Sequence, residues 1–431
     1  MKFAAPSPPP VILTGKQARR AARKLKVSFF KYLVNRKRYP LFTLRASRGG
    51  ILANHELLKS AKLCKTVAYA GTLRYSLITP RWPSAPFDRM VAGGGLNIAA
   101  CGSSRKRQID MAILAIASKC GYRCRHCYEN LALAPEEALS ITLWKNVIRE
   151  LQGLGTSIIV LSGGEPLLRV QGVSELLRSA DHALSEFHLH TSGAGLNEGI
   201  AASLHQDGLV AAGVGLDDFD PKHHDRRRGV DGAFATAVRA CGIFLQAGIF
   251  TYMNTCLSPS LVRAGGLPRL LELAADLRVG IVRLLEPRPC GNPISREGGD
   301  FFSEEDQRIT SEFHETANTN PAYRNFPLVS YEAYIEHPSR MGCRMGGLSH
   351  LAVDAQGNVL PCVFLPISFG NIEKESFAAI LGRMREAVPR PIRKTCPAIS
   401  LATLLSKKIE TSGKAAVPIA AVRSDWEALF N

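Results

Sequence analysis

From residue 109 the chain alternates, almost without a break, between short apolar runs and amphipathic stretches, and no other feature restricts its fold so strongly. The apolar runs are 109–118, 157–164, 187–193, 209–218, 250–258 and 281–287; between them lie helical patterns over 143–154, 173–184, 197–206, 233–247 and 267–278. Each run is continuously apolar rather than alternating, the pattern of strands buried on both faces of a parallel sheet. Six strands joined by crossover helices predict an α/β fold curling into a partial (β/α)6 barrel, whose chemistry belongs at the C-terminal ends of the strands.

The polar residues comply with that geometry. Cys120, Cys124 and Cys127 follow the first strand, Gly163-Gly164-Glu165-Pro166 the second, and Ser192, Asp217 and Asn254 close the third to fifth. All are expected on one rim. His188 and His190 alternate along strand three, which puts both on one face, toward the barrel interior or within a core.

The cysteines decide what the rim can hold. Disulfides rarely persist in a cytosolic chain, so the spacing of the eleven cysteines points to metal. Cys120-x3-Cys124-x2-Cys127 offers three thiolates in one loop, enough for three corners of a cubane iron–sulfur cluster with one iron left open. The alternatives are a zinc site completed by His126 and a chance grouping of thiols. A second group lies downstream: Cys343, thirteen residues, Gly357, four residues, Cys362, and then Cys396. The text between reads as two strands joined by a turn at Asp354–Asn358; a small zinc hairpin or buried thiols are its alternatives. For a fourth position the alternatives are Cys290 as a ligand, Cys290 as a mere loop thiol, and an iron left open to the substrate. Cys64, Cys101, Cys241 and Cys256 fit no spacing.

The cysteine triplet, the GGEP turn and the partial barrel together resemble the radical S-adenosylmethionine (radical SAM) superfamily over roughly residues 109–290. The resemblance implies a [4Fe–4S] cluster on Cys120, Cys124 and Cys127, with S-adenosylmethionine chelated to its open iron and cleaved to a 5′-deoxyadenosyl radical. It places Gly163, Gly164, Glu165 and Pro166 beside the methionine ammonium. Ser192 stands where relatives carry TNG, and Asp217 where they carry SLD near the ribose, with Gly215 replacing that serine. Arg228 is matched to the methionine carboxylate, and Asn254 is a further cofactor contact. The second cysteine group resembles a shortened SPASM, or twitch, extension, which implies an auxiliary iron–sulfur cluster on Cys343, Cys362 and Cys396. A small electron donor of flavodoxin or ferredoxin type and a peptide or protein substrate are the partners so implied.

The formal charge of +17 is concentrated at the front: the first fifty residues hold thirteen Lys and Arg and no acid before Glu56. Within 16–38, Leu25, Phe29, Tyr32 and Leu33 recur at helical spacing among basic residues. Such a helix packs on a neighbouring domain with a solvated basic back, or meets a membrane surface or nucleic acid through residues 1–40, or forms part of a transit peptide. No signal peptide or spanning run is evident, so a cytoplasmic protein, peripheral to the membrane in one reading, is expected. The expected organisation is a basic extension (1–108), the radical SAM core (109–290), a SPASM- or twitch-like domain (291–400) and a tail (401–431). Two functions compete with peptide modification: a radical enzyme acting on a lipid or nucleotide at a membrane or on RNA, and a non-catalytic iron–sulfur or zinc protein that carries electrons or scaffolds partners.

Overall fold

The computed structural model describes residues 8–21, 23–24, 64–93, 108–291 and 301–430. Three short strands come first: β1 (Val11–Leu13), β2 (Thr66–Tyr69) and β3 (Thr72–Arg74), paired antiparallel in the order β1-β2-β3. The expected core strands follow as β4 (Met111–Ala117), β5 (Ile158–Gly163), β6 (Glu186–Thr191), β7 (Leu209–Gly215), β8 (Phe250–Cys256) and β9 (Ile281–Leu285). They lie side by side in that order, every neighbouring pair parallel.

The sheet does not stop there. β10 (Leu328–Tyr331) adds parallel to β9 at one edge, and β11 (His350–Val353) adds parallel to β4 at the other. β11 turns back as β12 (Val359–Leu360), the antiparallel hairpin expected around Asp354–Asn358. Asp354 builds that turn: its carboxylate accepts from the backbone N–H of Gln356 and Asn358 at 3.0 and 2.8 Å. The downstream cysteine segment is thereby welded into the core sheet. The buried Arg344 seals the join, its guanidinium 3.1 Å from the Asp110 carboxylate.

Two of the crossover helices form where Ser or Asn caps a run with one apolar face. Ser140 caps Ile141–Gly153, whose Trp144, Val147, Ile148 and Leu151 are buried on the sheet. Asn197 caps Glu198–Gln206. The expected helix 173–184 instead runs Val170–Ser179. Asp181 ends that segment by accepting from the Ala183 N–H at 2.8 Å, a turn that competes with helix. One helix carries no apolar periodicity and escapes such a reading: Pro221–Arg228, sequence PKHHDRRR. Capping alone marks it, with Asp220 accepting from the His223 N–H, Pro221 in the first turn and Gly229 in the left-handed region at φ 69°.

The front region has a structural place. Val67 and Tyr69 of β2 pack with Ala211, Phe250, Ile281 and Leu328, which begin β7–β10 or lie close to their starts, so β2 closes the end of the barrel opposite the rim. Arg74 reaches in to the buried Glu186, and the Lys65 ammonium is held by the carbonyls of Tyr323, Phe326 and Pro327. Of the basic stretch 16–38, residues 16–21 and 23–24 are helical and Ala18 and Ala21 are buried; Leu25, Phe29, Tyr32 and Leu33 lie outside the described residues, as does Cys101. At the C-terminus β13 (Ile367–Ser368) pairs with β14 (Val417–Pro418). The closing helix Arg423–Ala428 docks through the buried Trp426, whose indole N–H donates to the Ala387 carbonyl at 2.9 Å. No helix among the described residues is long and apolar enough to cross a membrane.

Candidate active site

A cleft enclosing about 1200 Å³, part of it open to solvent, is lined by residues of all six core strands or the loops that follow them. A flat sheet could not direct six strands at one space, so the sheet is curved. Cys120, Cys124, Cys127, Gly163, Gly164, Glu165, Ser192, Asp217, Arg228 and Asn254 all lie on its wall; Pro166 is buried behind it as the first residue of a short 3-10 turn. Asn254 sits inside β8 rather than at its end.

The cysteine loop is held in place by the polar helix just described. The N–H groups of Arg123 and Arg125 donate to the carbonyls of Arg228 and Arg227 at 3.1 and 2.9 Å. Those carbonyls end a helix and have no partner within it, so the loop and the helix end satisfy one another. The GGEP turn packs against the other side of the loop. Glu165 N–H donates to the Lys119 carbonyl at 2.8 Å, and a Cβ on Gly164 would stand 2.2 Å from that same oxygen. The glycine therefore lets the turn touch the cysteine loop, a requirement that exists before any ligand is considered.

Glu165 is committed to the protein. Its carboxylate accepts from Thr191 Oγ1 at 2.6 Å and the Leu167 N–H at 3.1 Å through one oxygen. Its other oxygen takes the Ser192 N–H at 2.8 Å and the Ser192 hydroxyl. Two oxygens offer about four acceptor positions in all. This side chain ties the end of β6 to the GGEP turn. Burial pushes its carboxyl above the ordinary range, opposed by the four hydrogen bonds.

Asp217 and Arg228 meet each other. Arg228 Nε lies 2.7 Å from Asp217 Oδ2, and His126 Nε2 is 3.3 Å from the same oxygen. The Cys256 N–H donates to Oδ1 at 3.0 Å. Burial would raise the Asp217 carboxyl, but Arg228 foremost holds it well below its usual range. Gly215 makes the pair fit: a Cβ there would lie 2.4 Å from Arg228 Nη2. Cys256, which no spacing singled out, is thus part of the cleft wall.

His190 faces the cleft and its Nε2 lies 2.8 Å from the Tyr252 hydroxyl; His188 is buried, 2.7 Å from Glu186 Oε1. The expected single face is found, but only one of the two histidines reaches the site. Arg283 on β9 and Arg288 beyond it also line the cleft, and neither carried a signal of its own in the sequence. Arg283 pairs with Glu332, far along the chain, at 3.2 Å, and Arg288 with Glu286, two positions before it, at 3.0 Å.

The three loop thiols suit a cluster. Burial pushes Cys120 to about 11 and Cys127 to about 12, and raises Cys124 as well, so each is held as a neutral thiol until a metal displaces its proton. The Tyr122 N–H donates to the Cys120 sulfur at 3.4 Å, a contact of the kind that tunes such clusters. Among the described residues no three His, Cys, Asp or Glu side chains stand where a single ion could be held. Cys343, Cys362 and Cys396 line a neighbouring cavity of about 1140 Å³. The two cavities share Arg283, Glu286, Arg288, Val363 and Phe364 as a common wall.

Comparison with known proteins agrees with this geometry. The family model of the radical SAM superfamily matches residues 114–261, and that of the SPASM iron–sulfur cluster-binding domain matches 343–397. The AdoMet-dependent heme synthase of Methanosarcina barkeri is 27% identical over 286 residues, 62% of this chain and 80% of that protein. The PqqA peptide cyclase of Rhizobium meliloti is 26% identical over 282 residues, 63% of this chain and 73% of that one. In fold the chain is similar to Streptococcus suis SuiB bound to its precursor peptide SuiA, with a TM-score of 0.55, 12% identity, and 72% of this chain and 74% of that one covered. The enzyme's cofactors are accordingly a [4Fe–4S] cluster, S-adenosylmethionine and auxiliary iron–sulfur. The chain thus carries a radical SAM domain followed by a SPASM iron–sulfur cluster-binding domain.

Proposed function

We propose that Cys120, Cys124 and Cys127 hold the S-adenosylmethionine cluster and that the enzyme removes a hydrogen atom from a peptide or protein side chain. The observation that carries this reading is the single cleft onto which the cysteine loop, the GGEP turn, Ser192, Asp217, Arg228 and Asn254 all open. When bound, the cluster and S-adenosylmethionine supply a 5′-deoxyadenosyl radical. The protein's part is to position and to shield. The helix Pro221–Arg228 and the GGEP turn brace the cysteine loop from two sides. Gly163 and Gly164 present backbone to the methionine end of the cofactor, and Pro166 fixes the turn behind them. Asn254 has a buried amide oxygen without a hydrogen-bond partner, which suits a donor from the bound cofactor. The Asp217–Arg228 pair sits at the ribose and carboxylate end.

Cys343, Cys362 and Cys396 would hold the auxiliary cluster in the adjoining cavity, close enough across the shared wall to take an electron from the substrate. A peptide substrate is supported by the similarity to the PqqA peptide cyclase. A tetrapyrrole is the second reading, favoured by the comparable identity to AdoMet-dependent heme synthase. An electron donor of flavodoxin or ferredoxin type is part of the proposal.

The test is anaerobic reconstitution with iron and sulfide, then reductant and S-adenosylmethionine, with 5′-deoxyadenosine as the readout. The wild type should form it and the Cys120/Cys124/Cys127→Ala variant should not. Formation by both would overturn the assignment. Stimulation of 5′-deoxyadenosine formation by a porphyrin but by no peptide of a random library would replace the peptide reading with the second one.

A further inference from the structure

A surface helix ordinarily folds by burying an apolar stripe, yet the helix Pro221–Arg228 buries only His224. Its last two arginines turn inward: Arg227 Nη2 donates to the carbonyls of Cys256 and Leu257 at 3.0 and 3.3 Å, and Arg228 pairs with Asp217. Lys222 and Arg226 stay exposed. Four positions apart, they share one face of the helix and repel each other. The Lys222 cation also stands in the first turn, where the helix dipole opposes it. Folding gives no reason for these charges.

The cysteine loop adds two more. Arg123 and Arg125 are exposed, while Cys124 between them lines the cleft. The N–H groups of both arginines fasten the loop to the helix end, and a Cβ on Gly229 would stand 2.8 Å from the Arg123 carbonyl. Six residues of helix at about 1.5 Å each put Lys222 only about 9 Å along the axis from that end. Among the described residues no ion pair engages Arg123, Arg125, Lys222 or Arg226. The acids of the helix are spent on the backbone: Asp225 accepts from the N–H groups of Gly232 and Phe234 at 2.7 Å each, and Asp220 from that of His223 at 2.9 Å. Asp231, in the turn that follows, is exposed and offsets only part of the excess positive charge.

We infer that this basic face, built from Arg123, Arg125, Lys222 and Arg226, is where the electron donor docks, and that the donor is a small redox protein with an acidic face. This rests on the first cluster proposed above. The loop that carries Arg123 and Arg125 on its outer side carries Cys124 on its inner side, so a partner seated here is parted from the cluster by little more than that loop. The cleft is left to S-adenosylmethionine and substrate. The carrier gives up one electron, the cluster on Cys120, Cys124 and Cys127 accepts it, and no atom changes hands. Such a transfer asks for a small, short-lived interface, which complementary charge brings together quickly. Nucleic acid is the rival occupant, but it brings no electron and leaves unexplained why the charges gather at the cysteine loop.

The test uses the full chain reconstituted with iron and sulfide, and two probes: an acidic flavodoxin and an acidic [2Fe–2S] ferredoxin. In titration calorimetry an oxidised carrier should bind at low ionic strength and lose about tenfold or more in affinity as salt is raised. Lys222→Glu/Arg226→Glu should weaken binding by about tenfold or more at low salt. That double change keeps the helix, because an acid in the first turn gains from the dipole what one in the last turn loses. Arg149→Glu, exposed on the helix Ile141–Gly153, should bind as the wild type does. A carbodiimide should cross-link Lys222 to a carboxylate of the carrier. With limiting reduced carrier as the electron source, 5′-deoxyadenosine formation should fall with the affinity in the double variant; with dithionite it should equal the wild type. Binding by neither carrier, binding indifferent to Lys222→Glu/Arg226→Glu, or an equal loss in Arg149→Glu overturns the inference and leaves the proposed function standing. RNA bound through Lys222 and Arg226 in place of either carrier overturns it too and names the other occupant. No 5′-deoxyadenosine from the wild type with dithionite overturns the proposed function, and with it the reading of this face.

Discussion

Arg228 Nε lies 2.7 Å from Asp217 Oδ2, directly over Gly215. Two residues that a linear reading sends to different ends of one cofactor are an ion pair, and the missing side chain at 215 is the space that the guanidinium fills. Gly215→Ala should therefore cost about 1–3 kcal/mol, the usual scale of overpacking. Urea unfolding should show that cost shrinking in an Arg228→Ala background, since the clash is removed. An equal cost in both backgrounds would show that the close approach is not its source.

Glu165 accepts four hydrogen bonds from Leu167, Thr191 and Ser192. Glu165→Gln puts an NH2 group where two donors already point, and an unmet buried donor costs about 1–3 kcal/mol. Amide exchange at 191–194 should speed up even without cofactor. Unchanged protection there, with only S-adenosylmethionine binding weakened, would return Glu165 to a ligand role.

The barrel's closed end should set its acid sensitivity. Burial would raise the Glu186 carboxyl, yet Arg74 at 2.6 Å, with His188 and Arg81, holds it far below its usual range. A depressed carboxylate stabilises the fold above its unfolded value, about 4.3, and that stability is lost as pH falls toward the folded value. Burial also keeps His188 below its usual value, so protons favour the unfolded chain from about pH 6.5 downward. Stability should fall from near pH 6.5 and more steeply below about pH 4. Glu186→Gln should cost about 3–5 kcal/mol at pH 7, the scale for stranding a buried charge such as Arg74. A flat stability profile between pH 7 and 4 would contradict this.

Asp110 and Arg344, 234 positions apart, bind the SPASM hairpin to β4 through a buried pair at 3.1 Å, with the Ser349 hydroxyl donating to the same carboxylate oxygen. Asp110→Asn should destabilise by about 3–5 kcal/mol. Exchange should rise first at 350–353, where β11 pairs with β4. Loosening spread evenly over the sheet would argue that the pair does not act at this join.

The periodic parts of the fold were legible in the linear chain. Six strands and five helices announce themselves because each must bury an apolar face, and the cysteine spacings because several thiols in one loop have few other uses. The helix Pro221–Arg228 was hidden, since it buries almost nothing and its role is to offer carbonyls to the cysteine loop. So was β10, too short to stand out from its surroundings, a strand because β9 presents an open edge; β11 was expected as one arm of the hairpin, but its pairing with β4 was not.

Sequence by itself determined which chemistry the chain could carry: a three-thiol loop, a glycine turn and a parallel barrel to aim them. Tertiary structure alone decided how the parts are shared out, tying Glu165 to Thr191 and Ser192, pairing Asp217 with Arg228, and joining the downstream cysteine segment to the core sheet through β11. The division has a physical cause. Periodicity and spacing report forces along a few turns of chain, whereas ion pairs and ligand sets depend on closures between strands that local sequence does not encode.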